Sequence, residues 1–195
     1  MSMTIKEELM EYLKDNYLPM PENIVIGQEF CMCYKNDEDG KPCNAIIELG
    51  NPDSNISVYN AWHVEHLEAL GLRKDIDTNV DYADFALSFL HELGHVATLD
   101  SLSAQEMKDS LLIQFCCALS TETRKLEKWG KTLRFELYDQ IDHDNAFAYW
   151  YSPTERIAQE WVVNILNLFP KMLNDLIDIF DRHYIELFDD EIFID

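Results

Sequence analysis

The chain has 195 residues, 47% of them hydrophobic and 27% charged, which is enough to bury a core and unlike a disordered or fibrous composition. Fifteen Lys and Arg against 37 Asp and Glu give a formal charge of −22, a field that repels phosphate backbones and anionic lipid, so nucleic acid and membrane surfaces are excluded as expected partners. No uncharged run approaches the ~20 apolar residues of a membrane span, the start lacks the pattern of a secretory signal, and five cysteines, Cys116 and Cys117 adjacent, read as reduced thiols, so the expected location is cytoplasmic.

Thr4 followed by Glu7 is a capping-box pattern, and Ile5, Leu9 and Leu13 recur at helical spacing, which predicts a helix to about Tyr17. From Asn23 to Tyr59 four short runs are rich in strand formers: Ile24 to Ile26, Phe30 to Tyr34, Ala45 to Leu49 and Ile56 to Tyr59. Turn-forming residues at 36–40 and 51–54 separate them, and a small antiparallel meander is expected. The rest reads as helical over Asn60 to Leu70, Asp81 to about Leu99, Ser103 to about Leu119, Ser152 to Phe169 and Lys171 to about Phe188, with Ser103 and Glu106 forming a second capping box. Residues 121–150 fit strand or helix. With no repeat or linker, a single, mostly helical α+β domain over 1–195 is expected.

The helix beginning near Asp81 contains His91-Glu92-Leu93-Gly94-His95. With six His and 18 Glu in the chain, an H-E-x-x-H match is expected by chance about 0.017 times. The spacing has a physical reading: residues i and i+4 lie one turn apart on one face, so both imidazoles reach one metal ion, zinc being expected. Glu92 points elsewhere and stays free to accept a proton. On a helical wheel Asp84, Ser88, His91, His95 and Thr98 share one polar stripe, Phe85, Ala86, Phe89 and Leu93 fall on the other side, and Glu92 lies on the border. Gly94 inside a helix costs about 1 kcal/mol against Ala, which suggests a close approach by another backbone or a ligand.

Two histidines leave a catalytic zinc site one protein ligand short. The helix opened by Ser152-Pro153-Thr154-Glu155 supplies a candidate in Glu155, which borders the core-facing stripe, whereas Glu160 falls on the solvent side. Ser152-x-x-Glu155 is also a capping box with Pro at the first helical position, so Glu155 as ligand and Glu155 as cap both stand at this level. Small Ala158, one turn on, would let this helix lie close to the one carrying His91 and His95.

These residues resemble the gluzincin-type zinc metallopeptidases, and within them the small bacterial and phage-borne ImmA/IrrE-type peptidases, which are similar in having HELGH and, in a later helix, Glu-x-x-Ala-(Asn or Asp)-x-aromatic. Here His91 to His95 and Glu155 to Trp161 carry the likeness, with Gln159 in place of Asn or Asp. The resemblance implies a zincin-like fold with a small antiparallel sheet over the active-site helix, a zinc ion, and hydrolysis of a protein or peptide substrate. His91, His95 and Glu155 would be the metal ligands and Glu92 the general base.

Tyr149, Tyr151 and His143 lie ahead of the Glu155 helix and are candidates for stabilising an oxyanion. His63 and His66 read as surface residues of an amphipathic helix. Cys31 and Cys33 share one strand face and, with Cys43, read as buried thiols. A reading from another class takes the charge of −22 as that of an acidic DNA mimic or regulatory protein that sequesters a basic partner, with or without a non-catalytic zinc site.

Overall fold

Residues 3–27, 31–38, 42–50, 56–103, 105–113 and 148–183 are described by the computed structural model. Helix α1 (Ile5–Asp15) begins with the expected capping box: Thr4 accepts from the Glu7 N–H, and Glu7 accepts from the Thr4 N–H at 2.8 Å. Its apolar stripe, Ile5, Leu9 and Leu13, is completely buried, each such side chain stabilising the fold by about 1.5–3 kcal/mol.

Strands β1 (Asn23–Ile26), β2 (Cys31–Asn36) and β3 (Pro42–Leu49) form one sheet in the order β1-β3-β2. β2 runs antiparallel to β3, with Cys31 opposite Glu48 and an irregularity between Cys33 and Lys35. β1 runs parallel to β3, Ile24 opposite Ile47, so the sheet is mixed and the antiparallel meander is corrected. Alternating polarity shows which residues share a face, but it does not carry the direction of the partner strand.

The fourth run, Ile56 to Tyr59, is not a strand; it opens helix α2 (Ile56–Ala69). Strand preference spans only about 1 kcal/mol per residue and yields to tertiary packing, here a helix that buries His63, His66 and Leu67. α2 ends in a Schellman turn: Gly71 takes φ +101°, its N–H donates to Glu68 O, and the Leu72 N–H donates to Leu67 O.

Helix α3 (Ala83–Thr98) buries Phe85, Ala86, Phe89, Leu90 and Leu93. It packs on β2, on β3 and on α5 (Met172–Arg182). The rings of Phe85 and Phe89 meet Phe180 of α5 at centroid distances of 5.8 and 6.1 Å. Helix α4 (Pro153–Leu168) precedes α5. The architecture is α+β, and among the described residues no helix is long and apolar enough to cross a membrane.

The chain gathers into two compact units, 1–100 with 158–195, and 101–157. The first holds the sheet, α1, α2, α3, α5 and α4 from Ala158 onward. In the second, Ser103 makes the expected capping box, Glu106 N–H donating to Ser103 Oγ at 3.3 Å and Ser103 N–H to Glu106 at 2.8 Å. The helical run it opens covers 105–113. The stretch at 121–147, Cys116, Cys117, His143 and the acidic end of the chain lie outside the described residues.

Candidate metal centre

His91 and His95 stand one turn apart on α3 with their Nε2 atoms 3.1 Å apart and their rings at 81°. Together with Glu155 of α4 they form a group whose ligand atoms all lie within 4.8 Å of one another, and among the described residues it is the group of His, Cys, Asp or Glu that could hold a metal ion. His91 is 5% exposed and Glu155 3%, while His95 is half-buried. The donor set fits a borderline cation. A tetrahedral centre with ~2.0–2.1 Å bonds to nitrogen has its ligands ~3.3–3.4 Å apart, close to the spacing of the two imidazoles. Asp84, Ser88 and Thr98, predicted to share the histidine stripe, are all half-buried.

Glu155 reaches this position through two local features. Gly94 lets α4 approach: a Cβ there would lie 2.7 Å from the backbone oxygen of Ala158, so the two small residues predicted to matter meet each other. Glu155 lies one turn before Ala158 on the same helix. The second feature is the start of α4. Ser152 Oγ is buried and has no hydrogen-bond partner among the described residues, so the hydroxyl half of the capping box is not made. The Thr154 N–H donates instead to Ser110 Oγ at 3.0 Å, and the Arg156 N–H donates to Ser152 O. The cap read from the sequence is thus lacking its hydroxyl half, and Glu155 stands in the group that could hold a metal ion.

Glu92 is buried at 8% exposure on the side of α3 facing the sheet. Its carboxylate is close enough to add to the upward shift of the Cys31 thiol on β2, which burial, then neighbouring Cys33 and then Glu48 push well above its ordinary value. The thiols depart from expectation: Cys33 is exposed, Cys31 and Cys43 are half-buried, and the sulfurs of Cys31 and Cys33 lie 3.9 Å apart on one strand face. Of the oxyanion candidates, Tyr149 is half-buried with its ring 5.3 Å from that of Trp150, and Tyr151 is 46% exposed. His143 lies outside the described residues.

The reading of His63 and His66 as surface residues is corrected, because both are buried. The His63 ring stands edge-on to His91 at 5.5 Å, and its Nε2 lies 3.0 Å from Gln159 Oε1. Burial, followed by an electrostatic contribution from neighbouring His91, moves His66 below its ordinary value, and Glu160 opposes this. Glu160 is thus half-buried beside His66 rather than directed to solvent. A sequence signal existed for this layer: His63 and His66 occupy one side of α2, while Glu65 and Glu68 are exposed. Gln159 follows Glu155 by one turn, on the same side of α4.

Comparison of the chain with protein-family models, with curated proteins and with solved structures returns no match.

Proposed function

We propose that the chain is a metal-dependent peptidase of zincin-like fold, with zinc held by His91, His95 and Glu155 and an intracellular protein or peptide as substrate. The observation that carries this reading is the convergence of two imidazoles and one buried carboxylate, with a second buried carboxylate, Glu92, next in sequence to the first ligand. A bound zinc ion supplies Lewis-acid charge that polarises a carbonyl and acidifies water. The protein's own part is proton handling and placement. Glu92 accepts the proton of the attacking water and returns it to the leaving amine. β2, at the sheet edge beside Glu92, aligns an extended substrate by backbone pairing.

The test compares wild type with Glu92→Gln, both incubated with a proteome-derived peptide library and read as new termini by mass spectrometry. Cleavages made by wild type, lost in the variant and abolished by a chelator support a peptidase, with a rate loss of about 10²–10⁴ expected. Identical profiles with zinc bound to both proteins would refute turnover and support the acidic regulatory reading.

A further inference from the structure

His63 and Gln159 lie outside the three-residue ligand group yet are built against it. Gln159 is completely buried and His63 is 3% exposed. A buried polar group left without a partner costs about 1–3 kcal/mol, and these two meet that cost by bonding to each other, Nε2 of His63 donating to Oε1 of Gln159 at 3.0 Å. The His63 ring is at 78° to that of His91, with centroids 5.5 Å apart, so the ligand ring abuts an imidazole that Gln159 holds. Three helices contribute: α2 brings His63, α3 brings His91, and α4 brings Gln159 one turn after Glu155. Among the described residues the buried amide nitrogen of Gln159 has no partner, and its oxygen is what ties the carboxamide to His63.

We propose that the His63–Gln159 pair is a positioning device that holds the His91 imidazole in its metal-binding orientation. This rests on the reading of His91, His95 and Glu155 as ligands. Groups that orient a ligand from behind typically account for 10–100-fold in metal affinity. Gln159→Met removes the acceptor, together with the unsatisfied amide, at nearly constant volume. His63→Phe keeps an aromatic ring against His91 but cannot bond Gln159.

The experiment uses full-length protein purified without a histidine tag: wild type, His91→Ala, His63→Phe, Gln159→Met and the double variant. Zinc affinity is measured by competition with a chromogenic chelator, the ligand field by the absorption spectrum of the Co²⁺ form, and folding by thermal melting of the metal-free protein. For His63→Phe and Gln159→Met the expected result is one metal per chain, a 10–100-fold loss of zinc affinity and displaced Co²⁺ bands, the double variant being no weaker than the weaker single. Should His63→Phe not fold, Gln159→Met alone carries the test. Wild-type affinity and an unchanged Co²⁺ spectrum in a folded Gln159→Met overturn the proposal. Failure of the ligand reading looks different: wild type binds no metal, or His91→Ala binds it as tightly as wild type does.

Discussion

Replacing Gly94 by Ala adds one methyl group where α3 passes α4. In a helix free of neighbours the exchange stabilises by about 1 kcal/mol, because Ala loses less backbone freedom on folding than Gly. Here the new Cβ would sit 2.7 Å from the backbone oxygen of Ala158 and 3.2 Å from its carbonyl carbon and Cα. Backbone atoms cannot rotate away as a side-chain tip can, and ordinary carbon–oxygen contacts fall at about 3.3–3.6 Å, so the helices must part by roughly half an ångström or more. Overpacking of this kind costs about 1–3 kcal/mol. Set against the helical gain, the metal-free protein should lose about 0–2 kcal/mol. The proposed zinc site should suffer more, because Glu155 moves with α4 while His91 and His95 stay with α3, and a tenfold or greater loss of zinc affinity, about 1.4 kcal/mol, is expected. Urea unfolding of the metal-free protein and chelator competition measure the two effects separately. A variant stabilised by about 1 kcal/mol with undiminished zinc affinity would refute the close approach.

Ser152→Ala should raise urea stability, by on the order of 1 kcal/mol, since it removes a buried hydroxyl that caps nothing among the described residues, whereas Ser110→Ala removes the acceptor of the Thr154 N–H and should cost about 1 kcal/mol. Glu8 of α1 is bonded by Arg182 and His183 at the end of α5; burial alone would raise its pKa, but those bonds outweigh burial and lower it. A carboxyl depressed in the folded state stabilises it above the ordinary Glu value of about 4.3 and ceases to do so as the pH falls through the folded value. Glu8→Gln should therefore be less stable than wild type at pH 7, by on the order of 1 kcal/mol, and urea curves of the two proteins should converge in acid. Tyr17 is 97% exposed at φ 56°, where a side chain is strained and has no packing to offset the strain, so Tyr17→Gly should raise the melting temperature, by a gain of about 0.5–1 kcal/mol.

Features that act within one turn of helix were legible in the sequence. The Thr4–Glu7 and Ser103–Glu106 boxes form as read, and the His91/His95 stripe carries the half-buried polar residues assigned to it. Gly94 and Ala158 were flagged separately, and each proved to be the reason for the other. What escaped depends on partners distant in the chain. His63 resembles any amphipathic-helix histidine until Gln159, 96 residues later, supplies its bond. Ser152 satisfies the local capping rule, but Ser110 takes its place. The four strand formers at 56–59 were read by composition, and the helix that contains them is determined by what α2 buries beyond them.

In the sheet, β3 comes last along the chain yet lies between β1 and β2. The connection from β2 to β3 is short, so this hairpin can close within about 1–10 μs, whereas β1 can pair only after β3 is laid down and must do so in parallel across a longer loop. The assembly order is therefore hairpin first and β1 last, and loss of structure should run in reverse. Amide hydrogens of β3, bonded to both neighbours, should exchange most slowly, and those of β1 should be released ahead of the β2–β3 pair. A molecule that has lost β1 keeps the β2–β3 pair on which α3 packs, so the sheet can fray at one edge while the support of the helix carrying His91 and His95 remains standing.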